Sequence, residues 1–315
     1  MNPKISAIKT QVAKVMVGQE ELIDALLIGL ITDGHILVEG VPGLAKTTAI
    51  NSLAKALGLD FKRVQFTPDL LPSDIVGTEM YDQRNGEFKV KQGPAFTNLL
   101  LADEINRAPA KVQSALLEVM QEHQITIGEE TFKLDDPFLV LATQNPVEQE
   151  GTYRLPEAQL DRFMLKVLVD YNTFDEEMQI VERIANKTFG DIEKVAGADD
   201  ILAMRAEVQR VHVDEAVTRY MLKLIFATRE PEKYGVGDIA QYLDYGASPR
   251  ASINLYKAAK ARAYLRGNDY VTPLDVADTV KGVLRHRMVL NYKAEAAGVS
   301  ADDLVTTIMQ TVKLP

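Results

Sequence analysis

Along the first ~170 residues, short apolar runs without polar alternation recur between longer helix-like stretches. Four of them, over residues 35–39, 98–103, 138–143 and 165–169, read as strands, and the mixed segment 61–66 reads as a further one. Continuous apolar runs suit parallel strands covered by helices on both faces. A helix is predicted from Lys46 to Leu57, directly after the first strand. Another lies between the third and fourth strands, where Val112, Ala115, Leu116, Val119 and Met120 follow the i, i+3, i+4, i+7, i+8 spacing of one helical face. The alternation predicts an α/β fold built on a five-stranded, mainly parallel sheet.

Two segments break that rhythm and are predicted to be inserted β-hairpins that project from the domain. Residues 80–90 place β-prone positions on both sides of Asn85-Gly86, a pair that accommodates the positive φ angles of a tight turn. Residues 125–127 and 131–134 flank Gly128-Glu129-Glu130 in the same manner. After Asp170 the pattern reads as helices only, over 174–186, 201–211, 215–227, 249–266 and 274–287. Thr272 and Pro273 supply an N-cap and a first-turn proline for the last of these. The expected division is an α/β core over residues 1–171 and an all-α domain over 172–315, with the boundary near Tyr171-Asn172-Thr173.

Composition narrows the classes. The chain has 315 residues, enough for two domains, and its 46% apolar and 25% charged content is that of a globular protein. Its longest apolar stretch, residues 22–31, is broken by Asp24 and Gly29 and falls short of the ~20 residues that span a bilayer. The start, Met1-Asn2-Pro3-Lys4, leads into a mixed polar segment unlike a secretory leader. With no cysteine, disulfides, thiolate metal sites and cysteine nucleophiles are excluded. A cytoplasmic protein is expected. The net charge of −10 argues against nucleic acid as a partner, with Arg84, Lys89 and Lys91 as the basic residues of a local exception.

The candidate chemistry begins where the first strand ends. Gly40-Val41-Pro42-Gly43-Leu44-Ala45-Lys46-Thr47-Thr48 follows the spacing of a P-loop, with Ala45 in place of the second glycine. A methyl is tolerable there if the φ of Ala45 stays negative. Backbone N–H groups of such a loop wrap phosphates at a helix N-terminus. Lys46 reaches the β- and γ-phosphates, and the Thr47 hydroxyl ligates Mg²⁺. The third strand ends in Asp103-Glu104. Asp103 is placed to hold Mg²⁺ through its water shell and Glu104 to polarise an attacking water, the two requirements of phosphoryl transfer.

Three further residues have more than one reading. Asn145, in Ala142-Thr143-Gln144-Asn145-Pro146, either positions water against a γ-phosphate or forms an ordinary turn before proline. Arg162 precedes the fifth strand and by itself reads as a surface arginine paired with Asp161 or Glu157. Arg250 follows Ser248 and Pro249 in the first turn of a helix. A cation there opposes the helix dipole, so it is either a solvated arginine or one that a bound anion offsets.

Taken together these residues resemble an AAA+ ATPase, and most closely the MoxR family. The resemblance rests on Val17-Gly18-Gln19, the loop from Gly40 to Thr47, Asp103-Glu104-Ile105-Asn106-Arg107-Ala108, Ala142 to Pro146, Gly151 to Phe163, and Gly246 to Arg250. It implies that Val17 and Gly18 contact adenine, and that Lys46, Thr47, Asp103 and Glu104 are Walker A and Walker B residues. It makes Asn145 sensor 1, Arg162 an arginine finger offered to a neighbouring subunit, Arg250 sensor 2 in the lid, and Arg154 a second trans-acting candidate. The segment 80–90 corresponds to a helix-2 insert and 125–134 to a hairpin before sensor 1. The family likeness further implies ATP with Mg²⁺, a homo-oligomer in the form of a hexameric ring, and chaperone-like work on a client protein. Partners with a von Willebrand factor A domain and assistance in metal or cofactor insertion belong to the same expectation. A nucleic-acid motor, a magnesium-chelatase-like subunit and a non-hydrolysing nucleotide switch stand beside it as alternatives.

Overall fold

The five predicted strands become one sheet in the computed structural model, which describes residues 2–41, 43–146 and 151–315. Helices α1 (Pro3–Ala13) and α2 (Glu20–Thr32) precede β1 (Ile36–Glu39), which leads into α3 (Lys46–Leu57). Then come β2 (Phe61–Gln65), the short α4 (Pro72–Val76), and a hairpin of β3 (Gly77–Asp82) and β4 (Glu87–Gln92). β5 (Leu99–Asp103) is followed by α5 (Ala110–Glu122), a second hairpin of β6 (Gln124–Ile127) and β7 (Glu130–Lys133), and β8 (Leu139–Gln144). A short α6 (Glu157–Leu160) precedes β9 (Leu165–Leu168).

The strands lie in the order β2-β5-β8-β1-β9. β2 with β5, β5 with β8, and β8 with β1 are parallel, with Gln65 opposite Asp103, Ala102 opposite Ala142, and Glu39 opposite Gln144. Leu99, Leu100, Leu101, Val140 and Leu141 are fully buried, as the lack of polar alternation requires of strands covered on both faces. The apolar stretch in residues 22–31 belongs to α2, buried nearly all round, and Asp24 within it forms an ion pair with Lys9 of α1. Among the described residues no helix is long and apolar enough to cross a membrane.

Both hairpins form separate two-stranded sheets, as expected of insertions. The first turn differs from the expected tight pair. Four residues join β3 to β4, and of Asn85 and Gly86 only Gly86 takes a positive φ, of 70°. The Asp82 carbonyl accepts from the N–H groups of Asn85 (3.2 Å) and Gly86 (2.8 Å), while its carboxylate accepts from Arg84 N and Asn85 Nδ2. An aspartate that satisfies its own turn makes the longer loop stable.

The tail carries α7 (Phe174–Ala185), α8 (Ala198–Arg210), α9 (Glu215–Arg229), α10 (Pro249–Arg266), α11 (Pro273–Leu284), α12 (Tyr292–Ala297) and α13 (Ala301–Thr311). The expectation of helices only needs one correction, because β10 (Leu243–Tyr245) and β11 (Val289–Leu290) pair antiparallel with Leu243 opposite Leu290. Strands of three and two residues are too short to show an alternating pattern. Ser248 caps α10 through its hydroxyl, and Thr272 caps α11 in a capping box with Asp275. The described chain divides into two compact units. One holds Pro3–Leu155 and Val167–Ala203, and the other holds Asn2, Pro156–Lys166 and Met204–Pro315.

Candidate functional site

In open α/β sheets, ligands bind in the crevice beyond the C-terminal ends of the strands. Here the ends of β1, β5 and β8 open onto a cleft of about 380 Å³, lined among others by Lys46, Thr47, Asp103, Glu104 and Asn145. Gly40 begins the loop after β1, and its N–H donates to the Gln144 carbonyl at the end of β8 (3.3 Å). A Cβ at Gly40 would stand 2.5 Å from the Val169 carbonyl oxygen, so only glycine lets the chain leave the sheet here. Gly43, Leu44 and Ala45 complete the loop wall of the cleft.

The expected negative φ at Ala45 is not found. Ala45 sits at the N-cap of α3 with φ 55°, in the left-handed region. Loop turns into helix at this point, the place where the general pattern has glycine, and a methyl there costs about 1–2 kcal/mol. Glu104 is also left-handed, with φ 56°. Backbone strain of this kind collects where a site over-determines the chain.

The cleft brings two cations, Lys46 and Arg63, against two carboxylates, Asp103 and Glu104. Lys46 Nζ donates to the Gly40 carbonyl at 2.5 Å. Burial lowers its pKa from the ordinary lysine value, while Asp103, Glu104 and Glu39 pull it back up. Asp103 Oδ2 accepts from Arg63 Nη2 (2.6 Å) and Nε (3.1 Å), and Oδ1 accepts from the Thr143 hydroxyl (2.6 Å). Thr143 Oγ1 in turn accepts from Glu104 N (2.8 Å), which ties the ends of β5 and β8 together. Glu104 Oε2 accepts from Gln65 Nε2 (2.6 Å) and Arg107 Nη1 (3.1 Å). The donor set suits a hard divalent cation. A threonine hydroxyl and a carboxylate supply oxygen only, and Asp103 Oδ1 keeps one acceptor direction beyond Thr143.

Of the residues expected to bind nucleotide, Gly40, Gly43, Leu44, Ala45, Lys46 and Thr47 line the cleft. Val41 and Thr48 are not among its lining residues, and Pro42 lies outside the described residues. Val17 and Gly18 do not line it either. Asn172 Nδ2 donates instead to the Val17 carbonyl (3.0 Å), and Gly18 has φ 70°. Arg154 is exposed and belongs to the unit that contains the cleft, whereas Arg162 and Arg250 belong to the other unit. Arg63 and Gln65 were not anticipated. Their signal is two polar residues at i and i+2 near the C-terminal end of a strand, which share one face of β2.

Known proteins resemble the chain in two regions and over its length. Residues 35–165 match the ATPase family associated with various cellular activities (AAA), and residues 238–308 match the AAA lid domain. The chain is 48% identical to the chaperone MoxR1 of Mycobacterium tuberculosis over 97% of its own length and 81% of that protein. It is 42% identical to the uncharacterized protein YeaC of Bacillus subtilis over 100% of its length and 96% of that one. A crystal structure of a candidate ATPase from Cytophaga hutchinsonii superposes with a TM-score of 0.93 at 53% identity, covering 99% of this chain and 95% of the other.

Proposed function

We propose, from the fact that this chain belongs to the MoxR family of AAA+ ATPases, that it couples ATP hydrolysis to the remodelling, assembly or activation of partner proteins. Its activity is that of an ATPase. The observation that carries the reading is the single cleft that gathers Lys46, Thr47, Asp103 and Glu104 from the ends of two parallel strands. Lys46 exchanges its bond to the Gly40 carbonyl for the β- and γ-phosphates, and the loop's backbone N–H groups hold the rest of the chain of phosphates. When Mg²⁺ is bound it neutralises charge on the phosphate oxygens, and Thr47 with Asp103 Oδ1 would hold it. Gln65 and Arg107 occupy Oε2 of Glu104, which leaves Oε1 to accept the hydrogen of the attacking water. Asn145, buried at the end of β8, orients that water.

Arg162 then serves as the finger of a neighbouring chain, and Arg250 as the lid arginine of a hexameric ring in the cytoplasm. The first hairpin supports a protein client over a nucleic acid. Met80, Tyr81 and Phe88 on it are 52%, 56% and 69% exposed, with the two rings 5.2 Å apart, while Lys89 is paired with Asp82 at 2.6 Å. Two exposed rings on one face of the hairpin, an exposed Met80 on the other and a neutralised cation fit polypeptide better than phosphate backbone. A partner with a von Willebrand factor A domain, and metal or cofactor insertion as the outcome, follow from the family likeness. Light scattering with phosphate release tests the whole reading. A six-chain mass is expected with ATP and Mg²⁺, and turnover per chain should rise with protein concentration as rings form. Turnover independent of concentration, or stimulated by single-stranded DNA with a steep salt dependence, refutes it.

Lys46 allows a separate check. Its pKa is lowered by burial, so the folded state binds the proton less tightly than the unfolded chain. Nucleotide-free protein therefore gains stability as pH rises through that lowered value toward the ordinary one. Lys46→Met should remove this slope and raise the melting temperature of the nucleotide-free protein. It should also weaken ATP binding about 10–100-fold, the loss of one charge-assisted contact. Thermal unfolding across pH and titration calorimetry read the two effects.

A further inference from the structure

Arg287 is 6% exposed, and its whole guanidinium is engaged within one unit. Nε donates to Asp161 Oδ1 (2.8 Å), and Nη1 donates to the carbonyls of Val283 (2.6 Å) and Met164 (3.1 Å). Nη2 donates to the carbonyls of Phe163 (2.5 Å) and Asp161 (3.0 Å). His286 Nε2 adds a bond to the Phe163 carbonyl (3.0 Å), and Arg285 Nη1 one to that of Lys166 (3.1 Å). The residues that carry Arg162 into β9 are therefore clamped from one side by three consecutive side chains after α11.

The same Asp161 carboxylate also accepts from the Ser248 hydroxyl, at 2.9 and 2.8 Å to its two oxygens. Ser248 is the N-cap of α10, and its Oγ accepts from Arg250 N at 3.2 Å. A continuous path thus runs from the backbone of Arg250 through Ser248 to Asp161, the residue next to Arg162, and on to Arg287. Burial pulls the Arg287 pKa down to about 10, Asp161 opposes the fall, and the nearby charge of Arg250 adds to it. A well-packed apolar pair serves stability as well as a buried ion pair does; what the ion pair adds is a fixed direction.

We infer that Asp161 is a positioning residue that, through Ser248 and Arg287, holds the finger Arg162 and the lid arginine Arg250 in one rigid element, so that the placement of either cation is tied to that of the other. This rests on the roles given to the two arginines above. Asp161→Asn leaves Arg287 buried without its counter-charge and endangers folding, so Ser248 is the better handle. Ser248→Ala breaks the hydroxyl link and keeps the Asp161–Arg287 pair, while Ser248→Thr keeps the hydroxyl. Ser248→Ala is expected to lower kcat about 10–100-fold with the KM for ATP little changed, as small misplacements of catalytic groups do. Ser248→Thr should restore most of the loss. In an Arg250→Ala background, Ser248→Ala should have no further effect, because the link from Ser248 leads to Arg250 while Arg287 still clamps the segment of Arg162.

Circular dichroism and melting curves confirm that the variants are folded at the assay temperature. Wild-type kcat in folded Ser248→Ala, or a loss that simply multiplies with that of Arg250→Ala, overturns the inference. Wild-type turnover in both Arg162→Ala and Arg250→Ala refutes the underlying roles instead, and the inference falls with them.

Discussion

Glu104→Gln is expected to bind ATP as the natural chain does and to release phosphate about 10²–10⁴-fold more slowly. The substitution keeps size and shape. An amide oxygen in the Oε2 position still accepts from Gln65 and Arg107, whose bonds are 2.6 and 3.1 Å long. The other position changes from an acceptor into an NH₂ donor, so nothing remains to take the hydrogen of the attacking water. The loss corresponds to about 3–5 kcal/mol of transition-state stabilisation, while Lys46 and the loop still hold the ground state. Single-turnover phosphate release beside a nucleotide titration separates the two. Brisk hydrolysis by the variant removes Glu104 from the mechanism. A variant that holds ATP without cutting it should also stay in the assembled, partner-bound state, which makes it the reagent with which a client is caught.

What was legible in the sequence and what was not divides along one physical line. Many features carried by neighbours in sequence are legible, though the turn at Asn85-Gly86 and helix α1 are exceptions. α3 and α10 have the predicted bounds, because a P-loop turn starts the first and a Ser-Pro cap starts the second, with Gly267 in the left-handed conformation ending it. The five strands fall within one residue of expectation at each end. α1 is not among the predicted helices although Ile5, Ile8 and Val12 mark a buried helical face, and α2 is buried so nearly all round that it lacks an amphipathic stripe. Lys46, Thr47, Asp103 and Glu104 are legible as candidates because each motif is local, and all four line one cleft. Arg63 and Gln65 escaped because β2 meets β5 only once the order β2-β5-β8-β1-β9 is known. The link between Asp161 and Ser248, separated by 87 positions, is hidden for the same reason. At Ala45 the residue type is legible and its φ is not, because the site, not local propensity, sets the left-handed turn.

Removing the Arg162 guanidinium should have the largest effect, a fall in turnover of about 10³–10⁵-fold with nucleotide affinity within a few-fold of the natural chain. A finger acts on charge that develops on the transferring phosphoryl group, so its worth appears in kcat and not in ground-state binding. Arg162→Lys should recover little, because an ammonium lacks the planar fork that meets two phosphate oxygens at once. Whether the cation comes from a neighbour is decided by mixing. Arg162→Ala chains keep Glu104, and Glu104→Gln chains keep Arg162, so each is inactive alone. In randomly mixed rings about one quarter of the interfaces combine an intact Glu104 with an intact Arg162 from the next chain, and those should hydrolyse ATP. Recovery of turnover on mixing establishes action across the interface. Two inactive variants that stay inactive when they co-assemble place Arg162 in its own chain's site, and the coupling of hydrolysis to ring assembly is then lost.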